Sequence, residues 1–224
     1  MGIELTIDQD FKRFERFLNN TSKQMPIATK WALNDTGFDM REAFNNATLG
    51  VFDKPTYLTQ HAFLTTKAKK RNLVVHVFAK DKEGSDAARY LRFGVQGGAR
   101  PPKGFERYFS GLPNDGTTAR YFMPTRQTKR DSKGNITRAT LKKLSARVTN
   151  GTAFIGTPRN STRPPGLYVR EKNNTKLLAK FITTSSKPTY TGRFNLQVIG
   201  DKVINRRFNQ HFEKAMDYAI ATAK

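Results

Sequence analysis

The sequence predicts an α+β fold: a small antiparallel sheet packed against N-terminal and C-terminal helices, with a long irregular basic loop region at residues 96–135. Three observations lead there. Apolar residues recur at helical spacing near both ends of the chain. Three short β-rich runs, "TAFIG", "GLYVRE" and "LLAKFITT", follow one another in the last third. Between the early helices and these runs, Gly, Pro and cations crowd into "GGARPPKG", "SGLPNDGTT" and "RQTKRDSKGN". No internal repeat or linker interrupts the 224 residues, so the expectation is one domain, 1–224.

The elements are expected in this order. Asp8 or Asp10 caps a first helix with Phe11, Phe14, Phe17 and Leu18 on one stripe. "NNTSK" turns the chain, and Pro26 suits the first turn of a second helix. There Leu33, Gly37, Met40, Phe44 and Ala47 share a face, and Ile27, Trp31 and Phe38 mark a neighbouring one. Gly37 in mid-helix costs about 1 kcal/mol relative to Ala, which close approach of another backbone would explain. Gly50 stops the helix. Pro55 fixes its own φ and drives Lys54 toward extended geometry, making Phe52 to Thr56 a rigid corner. Thr56 or Thr59 then caps a short helix carrying His61, Phe63 and Leu64.

"NLVVHVFA", residues 72–79, reads as a strand buried on both faces. "DAARYLRF", residues 86–93, reads as a short helix. Residues 137–148 form a helix with Leu141, Leu144 and Val148 inward and Arg138, Lys142 and Lys143 outward. The last helix starts near Thr191, with a break expected at Gly200. On it Ile204, Phe208, His211, Ala215 and Tyr218 share one face, and Phe212, Met216, Ala219 and Ala223 the next. Residues 96–135 hold too little apolar material for a core of their own, so they are expected to order only against partners. The competing reading folds them back on the sheet through Phe105, Tyr108, Phe109, Tyr121 and Phe122.

Composition narrows the function. The net charge is +22, and it is unevenly spread: −1 for residues 1–64, +14 for 65–147 and +9 for 148–224. A neutral head on a cationic body calls for a polyanion or an acidic partner. Three clusters are candidates for facing nucleic acid: Lys67, Lys69, Lys70 and Arg71; Lys129, Arg130 and Lys133; Arg138, Lys142 and Lys143. Zinc-finger spacing, a basic zipper and an RNP signature are all absent, so sequence readout is not expected. With no cysteine there is no disulfide, thiol nucleophile or cysteine-held metal. His61, His76 and His211 fall in no metal spacing, and neither GxSxG nor a phosphate loop occurs. The chain is therefore read as a non-enzyme without cofactor or metal. No apolar run approaches a membrane span, and the first residues lack the charged and apolar regions of a secretory signal. Met-Gly with Thr at position 6 is only a weak match to a myristoylation start.

"ALNDTGFDMREAF" followed by "FDKPTYLTQHAF" resembles the phage minor tail protein Z-like (tail completion) family, in which an N-D-T helix runs into an aromatic-Asp-basic-Pro-Thr corner. "LRFGVQGGARPPKGFERYF" resembles its glycine-rich segment and following helix, "DSKGN" its Asp-x-x-Gly-Asn turn, and "KPTYTGRFNLQVIGDKV" its closing lead into the last helix. The pieces occur in order over residues 28–212; Tyr57-Leu58 departs from the smaller Pro-Phe type of the family. The resemblance implies a non-catalytic virion protein of a tailed bacteriophage, placed at the tail or head–tail neck and present in the host cytoplasm during assembly. Its implied partners are other tail or neck proteins, further copies in a homo-oligomeric ring, and packaged DNA contacted without sequence preference. Phe52, Pro55, Tyr57 and Phe63 become candidate subunit contacts at the rigid corner. The alternative is a sequence-nonspecific nucleic-acid-binding protein of the cell, ribosome-associated or nucleoid proteins included.

Overall fold

A computed structural model describes residues 8–81, 87–112, 121–171 and 176–222, with side chains from Thr21 onward. The fold is α+β, with helices at both ends and small antiparallel sheets. The contacts divide the chain, read from sequence as one domain, into two compact units. The first comprises residues 1–95 and 193–224, and the second is the continuous stretch 96–192.

In the first unit, α1 runs unbroken from Asp8 to Val51. Two helices were expected here. The chain stays helical through "NNTSK", and Pro26 is carried inside the helix despite its missing amide and the clash of its ring with the preceding turn, where α1 packs along α6. Small residues draw α1 close to α6 (Leu196–Ala221): Ala28, Ala215 and Ala219 are buried, flanked by Trp31, Phe212 and Met216. Trp31 meets Tyr218 edge-on at 5.5 Å. The expected caps Asp8 and Asp10, the Phe11, Phe14, Phe17 and Leu18 stripe and Ala223 lie outside the described side chains.

The helix α6 begins at Leu196, its first turn capped by Asn195 Oδ1 on the Val198 amide, and it does not break at Gly200. Gly200 is buried against Met40 and Phe44, where a Cβ would find only ordinary 3.7 Å contacts. The buried stripe of α6 therefore runs between the two predicted faces, and Ile204 and Tyr218 remain exposed.

After α1, Thr56 caps the short α2 (Tyr57–Gln60) through the Thr59 amide. Lys54 is left-handed at φ +46° rather than extended, so the corner is built from a residue in a costly region. The helix stops at Gln60; His61 is its C-cap, and Phe63 and Leu64 begin β1 (Phe63–Thr65). This strand pairs with β2 (Val77–Ala79) in a two-stranded antiparallel ribbon, with Leu64 opposite Phe78. The segment expected to be a doubly buried strand is mostly irregular and open, with Leu73 and Val74 exposed, because the ribbon covers only one face on α1. α1 holds it with two side-chain amides: Asn45 accepts from the Phe63 amide and Asn34 from the Ala68 amide. Gly37 gives room to side chains, not to a backbone: a Cβ there would lie 2.5 Å from Val75 Cγ1.

The core of this unit joins Phe44, Ala62, Phe63, Phe194, and Ala87 and Leu91 of α3 (Ala87–Gln96). Phe52 packs edge-on against Phe194 at 6.0 Å. Asp86, expected to open α3, lies outside the described residues.

The second unit is built on a four-stranded antiparallel sheet in the order β4 (Tyr121–Pro124), β7 (Leu177–Thr184), β6 (Gly166–Arg170), β5 (Ala153–Gly156). At Gly166 a Cβ would collide with the carbonyl of Phe181, so only glycine lets the two strands approach. One face packs on α4 (Gly104–Ser110) and α5 (Arg138–Thr149): Phe109, Leu144 and Val148 meet Phe122, Ile155, Leu167, Val169 and Phe181. The region 96–135 is not the irregular loop the sequence suggests. It supplies β3 (Gly98–Ala99), which pairs with β8 (Thr189–Tyr190), as well as α4 and β4. Phe109, Tyr121 and Phe122 are buried, so this stretch shares the core of the sheet rather than needing one of its own. Pro113 to Arg120 lies outside the described residues.

Candidate functional site

Cationic surplus concentrates in the second unit. Residues 96–192 carry 19 Lys and Arg against 4 Asp and Glu, a net of +15, and the rest of the chain carries +7. One of those four carboxylates is internal and a second, exposed, closes a turn. Glu106 is fully buried, and Asp131 Oδ1 accepts the Lys133 and Asn135 amides at 2.9 and 2.8 Å. Little negative charge is left to neutralise the surface.

Glu106 is the best-defined charged group in the molecule. Arg100 reaches both of its oxygens, at 2.6 and 2.7 Å, and the Lys103 and Phe122 amides donate to it as well. Burial pushes the Glu106 carboxyl upward, but the Arg100 guanidinium and the two amides outweigh burial and hold it below the usual carboxylate range. Arg100 is raised in turn, chiefly by its bond to Glu106 against the cost of burial. Its plane lies 5.4 Å from the Tyr121 ring, and its Nε is buried without a partner. The ion pair ties the turn before α4 to β4. The sequence reading missed it; Glu106 at the third helical position, where it accepts the Lys103 amide, was the one local sign.

Beyond β4 the chain is clamped along β7. Thr125 donates its amide to the Lys180 carbonyl and its Oγ1 to the Ala179 carbonyl, Thr128 Oγ1 donates to the Lys180 carbonyl, and Lys180 Nζ donates to Gln127 O at 2.8 Å. Arg130 folds back and donates to the Pro124 and Thr125 carbonyls, so part of its donor capacity is already used. Lys129 and Lys133 are exposed. "DSKGN" forms a closed turn around Asp131, with Gly134 at φ +80°. Thr137 then caps α5 on the Thr140 amide, and Arg138, Lys142 and Lys143 project from the face opposite Leu144 and Val148. Six of the predicted cations thus stand on one rigid run of a single unit. Their backbone is already ordered, so meeting a phosphate backbone costs side-chain rather than backbone freedom.

Lys67, Lys69, Lys70 and Arg71 belong to the first unit instead. They sit around the ribbon tip, where Lys69 and Asn72 exchange two 2.9 Å backbone bonds and leave Lys70-Arg71 as the turn. Lys67 Nζ stands 5.6 Å from the Phe38 ring.

The four predicted subunit contacts separate. Phe63 is buried at 3% exposure and Phe52 packs on Phe194, so both serve the core and not a docking surface. Their apolar bulk was read as an anchor for a neighbour; the chain spends it on itself. Pro55 is half-buried and Tyr57 is 71% exposed, stacked on His61 at 4.1 Å. Of the other histidines, His76 is exposed, while His211 Nε2 bonds Asp39 Oδ2 at 2.9 Å, with Arg207 at 3.8 Å from the same oxygen. That pairing joins α6 to α1. Among the described residues no group of three His, Asp or Glu is placed to hold a metal, and no helix is long and apolar enough to cross a membrane. Comparison with protein-family models, with curated proteins and with solved structures yields no match to this chain.

Proposed function

We propose that this chain is a structural, non-catalytic protein of a tailed bacteriophage virion, acting in tail completion or at the head–tail neck together with other tail or neck proteins and further copies of itself. The observation that carries the reading is the ordered set of resembling segments over residues 28–212. Several of those segments have defined structural work. Asn34 of the N-D-T stretch holds the Ala68 amide, Glu106 of the glycine-rich segment anchors Arg100, and Asp131 closes the Asp-x-x-Gly-Asn turn. Imaging of the assembled virion with this chain located in it is the test. Density for the chain at the tail or neck is the expected result; its absence from purified virions overturns the reading.

A second reading, sequence-nonspecific nucleic-acid binding, is favoured by the net +15 of the second unit and the exposed cations on α5 and the turn before it. If six or more phosphates are neutralised, affinity for duplex DNA falls by about 10³-fold or more between about 50 and 200 mM salt. Binding that persists at high salt, or that prefers one sequence by orders of magnitude, contradicts it.

A further inference from the structure

In the first unit a groove of about 550 Å³ runs over α1, between β2 and α6. Its floor is Leu33, Gly37 and Met40, one wall is Val75 and Val77, and the other is Ile204 and Phe208. The volume is in the range of peptide and ligand clefts. The β2 wall has a specific chemistry. The Thr66 amide donates to His76 O and the Lys80 amide to Ala62 O, so residues 76, 78 and 80 bond toward β1. By alternation the N–H and C=O groups of Val75, Val77 and Ala79 point away from β1. β2 pairs with no other strand among the described residues. A free strand edge beside an apolar floor accepts an added strand, whose backbone completes the ladder while alternate side chains enter the groove.

The sequence holds one segment of that description outside the described residues. Met1 to Ile7, "MGIELTI", places Ile3, Leu5 and Ile7 at strict alternation with Gly2, Glu4 and Thr6. That is the pattern of a strand with one apolar face. The segment cannot serve its own chain's groove. It joins α1 at Asp8, and Leu33 lies 25 residues along that continuous helix, a span of about 37 Å. Seven fully extended residues reach only about 24 Å.

We infer that Ile3 to Ile7 of one copy adds as a strand to β2 of a neighbouring copy, seating Ile3, Leu5 and Ile7 in the groove of α1 and α6. The contact is heterologous, one copy's segment on the next copy's groove, so it propagates into a ring or a filament. The inference rests only on the self-assembly part of the function proposed above, and it stands whether or not the assembly belongs to a virion.

Two substitutions in the full chain break opposite halves of the contact. Leu5→Asp spoils the donor. Val77→Pro removes a donor N–H on the free edge and leaves the bonds toward β1 in place. By analytical ultracentrifugation the unaltered chain associates, and each variant is monomeric with an unchanged far-ultraviolet circular dichroism spectrum. Mixed, the two variants pair one to one and stop at a dimer, because Val77→Pro keeps a good segment and Leu5→Asp a good groove. Should Val77→Pro misfold, Ile204→Asp replaces it as the groove variant. An unaltered chain that stays monomeric, a Leu5→Asp chain that associates as well as the original, or a mixture that stays monomeric overturns the inference. In the second case self-assembly survives and only this contact fails; virion imaging decides the location independently.

Discussion

The two units solve the problem of a core in different ways. The first packs long helices through small residues, Ala28 against Ala215 and Ala219, hangs a two-stranded ribbon on α1 by two asparagines, and gathers its aromatics, Phe44, Phe63 and Phe194, against that ribbon and helix. The second buries large aromatics, Phe109, Phe122 and Phe181, on one face of a sheet and sets a buried ion pair at its margin. Helix contact by alanine depends on backbone shape and tolerates polar surroundings. A charge buried beside an aromatic core needs a counter-charge, and Glu106 with Arg100 supplies it. The second unit commits Glu106 to that pair, and with 19 Lys and Arg against 4 Asp and Glu its remaining cations stay unbalanced.

This contrast can be broken most severely at Glu106. Replacing it with Ala leaves Arg100 buried without its counter-charge, and removing one partner of a buried pair costs about 3–5 kcal/mol. Hydrogen exchange should show lost protection in α4 and β4 while α1 and α6 keep theirs; uniform loss across the chain would mean that the units do not unfold separately. Almost as large is Phe63→Ala, at about 3–5 kcal/mol in the first unit. Tyr57→Ala, at the exposed neighbour, should stay within about 0.5 kcal/mol. Equal effects in a denaturant titration would undo the division of the corner into core and surface.

Acid sharpens the comparison further. The Arg100 guanidinium and two amides hold the Glu106 carboxyl below the pH at which it titrates in the unfolded chain. Its contribution is therefore complete above that pH and drains away as the pH falls through the lower folded value. Residues 96–192 should lose protection in acid, and the Glu106→Gln variant should lose most of this dependence. The smallest effect is stabilising. Gly200→Ala meets Met40 and Phe44 only at 3.7 Å, so the unbroken helix should gain up to about 1 kcal/mol, read as a raised melting temperature. A loss there would show that α6 needs closer contact with α1 than the structure shows.

Much of this was legible in the order of residues. The period of 3.6 in α5 and the β-rich runs that became β5, β6 and β7 needed no tertiary knowledge, because each is written in local side-chain spacing. So were a cap at Thr56 or Thr59, which the structure gives to Thr56, and the exposure of Arg138, Lys142 and Lys143. Local rules failed where a distant partner outweighed them. Pro26 and Gly200 look like interruptions, but the long contact of α1 with α6 keeps both helices whole. Lys54 precedes a proline and still takes φ +46°. Residues 96–135 look coreless because the apolar surface they share, Leu167, Val169 and Phe181, lies dozens of residues away. The pairing of Glu106 with Arg100 lay within a six-residue reach, yet its complete burial depends on β4 and the sheet behind it. Composition and spacing determined the helical ends of the chain, α5, the strands β5, β6 and β7, and where the positive charge lies. Tertiary packing alone decided which aromatics are core, which carboxylates are consumed and which strand edge stays free, since each depends on groups far apart in sequence that meet only once the chain has folded.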